Sequence, residues 1–197
     1  MSLRIFYHPY YSSLTLPERH RFPLAKYQAI YQHLAALGYP LAEAPAASRE
    51  QIARVHDADY VEAALTGQLE REAIRRLGFP WSPMLIERTL RSVGATVAAS
   101  RHALEQGCGL QISGGYHHAH RDFGSGFCLF NDLVIAARAC LDEGSCEQVL
   151  IVDLDVHQGD GSAALCTGSQ DIITLSLHGE HNFPHHKPAS HLDFALP

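Results

Sequence analysis

The stretch from Val149 to Gly161 constrains this chain more than any other. The apolar run Val149-Leu150-Ile151-Val152 gives way to Asp153, Asp155 and His157 at alternate positions, and Gln158-Gly159-Asp160-Gly161 follows. Such a run reads as a strand buried on both faces of a parallel sheet. Acids at its end are hard to tolerate unless a metal, a partner or a hydrogen-bond network receives them. Side chains alternate with period two, so Asp153, Asp155 and His157 lean one way while Leu154 and Val156 stay in the core. Carboxylate with imidazole is a natural donor set for zinc or iron. The plainer reading, a strand followed by a polar turn whose acids cap the next helix, leaves His157 and one acid without a role.

A second cluster, Ile112-Ser113-Gly114-Gly115-Tyr116-His117-His118-Ala119-His120, also follows a short apolar run, Leu110 to Ile112. Its paired glycines let the backbone come close to a ligand. Adjacent histidines point in different directions. One can serve as general base while its neighbour serves as acid or electrostatic catalyst, each oriented by a carboxylate on its other ring nitrogen. Asp153 and Asp160 are available for that duty. His120, His181, His185, His186 and His191 lack such a setting and read as ordinary structural or surface histidines.

Gly114-Gly115-Tyr116-His117-His118-Ala119, then Gly126-Phe127-Cys128-Leu129-Phe130-Asn131-Asp132, then Asp153 to Gly161 resemble, in order and spacing, the signature of the histone deacetylase family. Glu18 to Pro23 with Lys26-Tyr27, Val55 to Tyr60 and Leu77 to Pro83 look like further family segments, so the likeness covers nearly the whole chain. Gln158 stands where most members carry a second histidine, a departure that resembles class IV deacetylases and related bacterial proteins.

The resemblance implies a three-layer α/β fold of the arginase/deacetylase type with a mainly parallel sheet. It implies Asp155 and His157 as two of three ligands of a catalytic zinc, the third being an Asp well downstream. His117 and His118 match the tandem histidines, with Asp153 orienting the first and Asp160 the second. The implied chemistry is metal-assisted amide hydrolysis, with His118 the base that takes a proton from water and His117 stabilising developing charge. A structural potassium ion is implied at Asp153, Ser176 and Leu177, with the carbonyls of Asp155 and His157. Phe127, Phe183 and Gly126 resemble the lining of a narrow channel for an aliphatic, lysine-like stem, although core packing competes as a role for each Phe.

The same resemblance places the third zinc ligand and an oxyanion-stabilising tyrosine beyond Pro197. The chain therefore reads as a single domain lacking the C-terminal third and its strands, nearly or wholly inactive alone because oxyanion donors are worth about a hundredfold or more in rate. The absent strands would lie between those ending near Ser113 and Asp155. Either these two close on each other, or pairing comes from a homo-oligomer or a complementing C-terminal fragment.

Composition fits a domain with a sizeable core: 197 residues, 46% hydrophobic. Fifteen Lys and Arg against 21 Asp and Glu leave a net charge of -6. That charge disfavours nucleic acid and anionic membranes and mildly suits a cationic substrate surface. The resemblance implies an acylated lysine or a small acylated amine as substrate. Five cysteines without paired metal-ligand spacing read as reduced thiols, pointing to a cytoplasmic setting. Met1 leads straight into the strand-like Leu3 to Tyr7, with no leader pattern or long apolar span.

Pro23 opens a helix that stops at Gly38, Ser48 with Gln51 forms a capping box, and Asp57 caps a helix ending near Gly67. A long helix runs from about Pro83 to Gln106, weakened by Gly94, and another spans Asp132 to Glu143. Strands are expected at 110–113, 149–155 and 172–177, a loop at 41–47, and an irregular segment at 184–197. Ligands then gather at the carboxyl ends of the strands.

Other readings differ in chemistry. A ureohydrolase of the same fold needs an Asp two residues beyond the motif histidine, where this chain has Gly159. A magnesium-dependent phosphatase using Asp-x-Asp leaves His117-His118 unexplained. A catalytically dead acyl-lysine-binding module keeps the channel without the chemistry. Metal content separates them: one zinc, two manganese ions, or none with ligand binding retained.

Overall fold

Alternating apolar strand runs and amphipathic segments become six short strands and seven α-helices over residues 2–197, the part of the chain described by the computed structural model. Met1, where the reading of a leaderless N-terminus begins, lies outside the described residues.

Strand β1 (Ile5–Tyr7) is buried throughout, and a 3₁₀ turn over Pro9–Ser12 follows. Helix α1 (Lys26–Ala36) begins later than Pro23 suggests, because a tight turn closed by Lys26 N–H on the Pro23 carbonyl at 3.1 Å comes first. Strand β2 (Leu41–Glu43) lies in the stretch expected as loop. Its parallel pairing with β1, Ile5 opposite Leu41, imposes extended structure on a weakly patterned segment. Helix α2 (Arg49–Ala53) opens with the Ser48–Gln51 capping box. Helix α3 (Ala58–Thr66) ends at the left-handed Gly67, and α4 (Arg71–Leu77) has no counterpart in the sequence reading.

Helix α5 (Pro83–Gln106) is the long helix, capped by Ser82 and stopped at Gly107. Gly94 is more than a weak point within it. A Cβ there would sit 2.2 Å from the Pro45 carbonyl oxygen, so the missing side chain is what lets α5 press against residues 45–47. Gly94→Ala is expected to destabilise by about 1–3 kcal/mol through overpacking. Thermal unfolding measures this, and an unchanged Tm would show that the 45–47 segment yields.

Strand β3 (Leu110–Gln111) joins β1, and α6 (Asp132–Asp142) packs along α5. Strand β4 (Val149–Asp153), α7 (Asp160–Leu165) and β5 (Ile172–Gly179) carry the acidic motif and its partner strand. Strand β6 (Leu192–Leu196) falls within the stretch expected to be irregular. It pairs with β5, Leu192 opposite Leu175, although His and Pro dominate the approach to it. The main core joins Ile52, Val61, Leu85, Val93, Phe130, Ile135 and Ile151 from helices, loop and β4.

Every strand pair is parallel, in agreement with the expected mainly parallel α/β fold, and the strands form two sheets ordered β2-β1-β3 and β4-β5-β6. Strands β3 and β4 are not bonded to each other, so direct closure between them is not what this fold adopts. Leu154 and Val156, expected in the core, are 69% and 56% exposed, because β4 ends at Asp153 and the chain bends outward there. Leu150, Val152, Leu192, Phe194 and Leu196 extend the same open apolar face. No described helix is long and apolar enough to cross a membrane, and all five cysteines are free thiols.

Candidate active site

Parallel strands deliver their following loops to one end of a sheet, and the loops after β3 and β4, one from each sheet, meet. The β3 loop turns through Gly114 and Gly115, at φ 98° and 73°, a region open to glycine at little cost. The turn is held from below by Asp132, at the start of α6, which accepts from Gly115 N–H at 3.1 Å, Tyr116 N–H at 2.7 Å and the Thr96 hydroxyl. Burial raises the Asp132 pKa. Arg88, itself buried, donates to the Tyr116 hydroxyl at 2.9 Å and to the Tyr11 carbonyl at 3.3 Å.

The loop presents two imidazoles whose ring centroids lie 4.0 Å apart. His117 Nδ1 lies 2.6 Å from Asp153 Oδ2, and His118 Nδ1 lies 2.6 Å from Asp160 Oδ1. With each Nδ1 engaged, each Nε2 is left for a substrate or water. The two environments differ. Burial lowers the His118 pKa, and the neighbouring His117 charge adds to this against the Asp160 bond. Burial also acts against His117, but its Asp153 bond and the charges of Asp153, Asp155 and Asp160 outweigh it and raise the pKa. Asp160 is pulled down to about 2: burial would raise it, and the bonds from His118 and His120 prevail. A pair with one imidazole biased neutral and the other biased charged can both take and supply a proton.

Asp155 and His157 sit beside this pair. Asp155 Oδ1 accepts from His157 N–H at 2.8 Å and lies 3.0 Å from His157 Nδ1, so two donors of the kind zinc takes converge. Burial opposes ionisation of Asp155, but the His157 N–H and the His117 and His157 charges hold its pKa down. Among the described residues no three His, Cys, Asp or Glu side chains come together as a cage. Asp155 and His157 therefore fit as two donors of an open metal site.

Asp153 and Ser176 face each other across β4 and β5, and Leu177 follows, opposite Phe194. Each side chain also has a protein partner: Asp153 Oδ1 accepts from Asp155 N–H at 3.1 Å, and Ser176 Oγ lies 2.9 Å from His178 Nδ1. Phe127 and Phe183 line a cavity of about 720 Å³ together with His117, His118, Asp155 and His157. Phe183 stands edge-on to His118 at 4.9 Å. Phe127 packs on Phe79 at 5.1 Å and Phe22 at 5.3 Å. Its φ of 67° is unusual for a bulky residue, and its N–H on the Leu77 carbonyl at 2.8 Å holds it. A Cβ at Gly126 would meet His118 Cδ2 at 2.6 Å, so that glycine admits the ring.

Several contributors escaped the sequence reading. His120 is not an ordinary surface histidine: its Nε2 lies 3.1 Å from Asp160 Oδ2, sharing that carboxylate with His118. His56 donates from Nδ1 to the His120 carbonyl at 2.8 Å and accepts at Nε2 from Asn131 N–H at 2.9 Å, clamping both motif loops. Burial presses its pKa down to about 4. A signal existed for Arg88, which falls on the buried face of α5 among Leu85, Thr89 and Ser92. Gln158 donates from Nε2 to the Pro188 carbonyl at 2.8 Å and Asp193 Oδ1 at 3.1 Å, tying the acidic motif to the approach to β6.

A parallel α/β framework carrying tandem, carboxylate-oriented histidines beside an Asp-x-His pair defines the arginase/deacetylase-like class of fold. The crystal structure of the HDA15 HD domain has this fold, superposing with a TM-score of 0.80 at 22% identity over 94% of this chain and 56% of that one. The histone deacetylase domain matches residues 20–193, and the chain belongs to the histone deacetylase family. It is 41% identical over 201 residues to an uncharacterized protein of Picosynechococcus sp., covering 100% of this chain and 67% of that protein. It is 33% identical over 154 residues to a histone deacetylase-like amidohydrolase of Pseudomonas aeruginosa, covering 73% of this chain and 39% of that one. The acetoin utilization protein AcuC of Bacillus subtilis is 32% identical over 150 residues, with 70% of this chain and 38% of that one covered. The matched region spans 67% of the Picosynechococcus protein but well under half of the Pseudomonas and Bacillus relatives.

Proposed function

We propose that this chain carries the histidine-bearing part of a zinc-dependent amidohydrolase that removes an acetyl or other acyl group from a lysine side chain or related amine. One observation carries the reading: two imidazoles, each fixed by a carboxylate at 2.6 Å, open onto a cavity that also holds Asp155 and His157. Asp155 and His157 would hold the zinc, which supplies Lewis acidity to the amide when bound. The chain's residues do the rest. His118, biased neutral, takes the proton from water, and Asp160 stabilises the imidazolium that results. His117, biased charged, faces the developing negative charge, while Phe127 and Phe183 flank the stem and exclude water.

Gly159 supports one metal over two. An added Cβ there would lie 2.3 Å from Asp153 Oδ2, leaving no room for a further acidic side chain.

Metal analysis tests the reading. Zinc added to the metal-free protein is expected to bind at one per chain, with Asp155→Ala and His157→Ala abolishing it and His185→Ala leaving it intact. Equal retention in the His157 and His185 variants would move the site.

A further inference from the structure

We infer that the cavity selects acylated amines whose far end carries a carboxylate, recognised by Arg21 and Lys26 at its mouth. This rests on the reading above, in which the cavity takes an acylated amine by its stem.

The walls carry an unbalanced charge. Arg21, Lys26 and Arg76 line the cavity, and Asp155 is the one acid among its lining residues. None of the three cations is in an ion pair among the described residues. By contrast, Arg49, Arg54 and Arg138 elsewhere hold carboxylates at 2.7, 3.0 and 3.0 Å. Asp155 is half exposed beside His157, and its Oδ1 accepts from the His157 N–H and lies 3.0 Å from His157 Nδ1, so its charge is engaged by that neighbour.

Lys26 is held in place rather than left to wander. Its ammonium lies 5.0 Å from the Tyr27 ring centroid and 5.7 Å from that of Phe22, two side chains that line the same cavity. The aromatic faces keep the charge along the wall at modest cost in side-chain freedom. Arg76 contributes less. Its guanidinium lies 4.2 Å over the Phe123 ring and also borders a neighbouring groove that holds Asp57, Asp59, Glu70, Glu72 and Asp122. Arg21 and Lys26 therefore set the preference.

The chain as a whole carries a net charge of -6, which favours cations at long range. Salt screens that field beyond about 8–10 Å, so at contact the two cations of the mouth decide. An acylated polyamine would bring an ammonium against them and be repelled, and a neutral peptide backbone would gain nothing from them. An ω-acylamino acid brings a carboxylate into the cavity whose lining carries them.

Calorimetric titration of the protein with three ligands sharing one stem tests this: ε-acetamidohexanoate, its neutral amide, and N-acetylcadaverine. The acid is expected to bind about fivefold more tightly than the amide at low ionic strength, as two exposed ion pairs allow. The gap should close at about 1 M salt, and N-acetylcadaverine should bind weakest. The double variant Arg21→Gln, Lys26→Gln should bring the acid-to-amide ratio to about one, while Arg54→Gln, away from the cavity, should keep it. Equal binding of acid and amide by the unaltered protein, or preference for N-acetylcadaverine, overturns the inference and leaves the acylated-amine reading standing. Binding of none of the three overturns that reading and the inference with it.

Discussion

An alanine at position 118 is expected to cut turnover of an acyl-lysine amide by about 10²- to 10⁴-fold, with little change in KM. His118 is the imidazole biased neutral, because burial and the charge of His117 outweigh the bond to Asp160. It therefore accepts a proton without first having to lose one. Its Nδ1 is occupied by Asp160 at 2.6 Å, which fixes the ring so that Nε2 is the atom turned to the cavity. Among the described residues no other side chain is arranged to replace it. His117 is biased to be charged, and His120 points its Nε2 at the same Asp160 carboxylate. Asp160→Asn should fall between the wild type and His118→Ala, since the ring remains but loses its orienting charge. Steady-state kinetics of a complete, zinc-supplemented version of the protein, supplying the third ligand and the tyrosine that the resemblance implies, measures the effect, and unchanged turnover in His118→Ala would place the base elsewhere.

Stability should fall as the pH drops from about 6.5 toward 4, beginning above the range in which carboxylates titrate, and His56 is the main cause. Its ordinary pKa of 6.5 is pressed to about 4 by burial, with backbone carbonyls opposing that shift only in part. Above pH 6.5 His56 is neutral in both folded and unfolded chains, and its full contribution is present. As pH falls through the window, the unfolded chain takes up a proton that the folded chain refuses, and the loss saturates near pH 4 at about 3 kcal/mol. His118, lowered as well, acts with the same sign. His117, whose pKa is raised, acts oppositely: its contribution is present at low pH and is lost as pH rises through its folded value. Asp160 becomes important only later, as pH falls from the usual carboxylate range toward about 2. Urea midpoints at pH 7 and pH 4.5, wild type against His56→Gln, isolate the His56 share. The variant should be less stable at pH 7 and less sensitive to acid, and parallel pH profiles would rule His56 out as the source.

The site was far more legible in the sequence than the sheet that carries it. The alternation of Asp153, Asp155 and His157, and the Gly-Gly turn before His117-His118, are local patterns, and local patterns survive without knowledge of distant partners. Helices with strong caps were equally plain: Ser48 with Gln51, and Pro83 to Gly107, depend on hydrogen bonds between near neighbours in the chain. Strands β2 and β6 were not legible. Leu41–Glu43 and Leu192–Leu196 are extended because β1 and β5 bond to them, and no residue within either segment announces that partner.

The sequence by itself determined which side chains this protein brings to its chemistry, since residue type and spacing fix donor sets, turn conformations and caps. Only the tertiary structure decided what those side chains experience. It placed His117 against Asp153 and His118 against Asp160 across 36 and 42 residues of chain, and it gave the two imidazoles opposite pKa shifts. It buried Asp132, His56 and Arg88 beneath the loops as their supports. It also set Arg21 and Lys26 at the mouth of a cavity in an otherwise acidic molecule. The physical reason is that burial and electrostatic environment are sums over neighbours distant in sequence, and those neighbours are chosen by the packing of the whole fold rather than by the residues beside them in the chain.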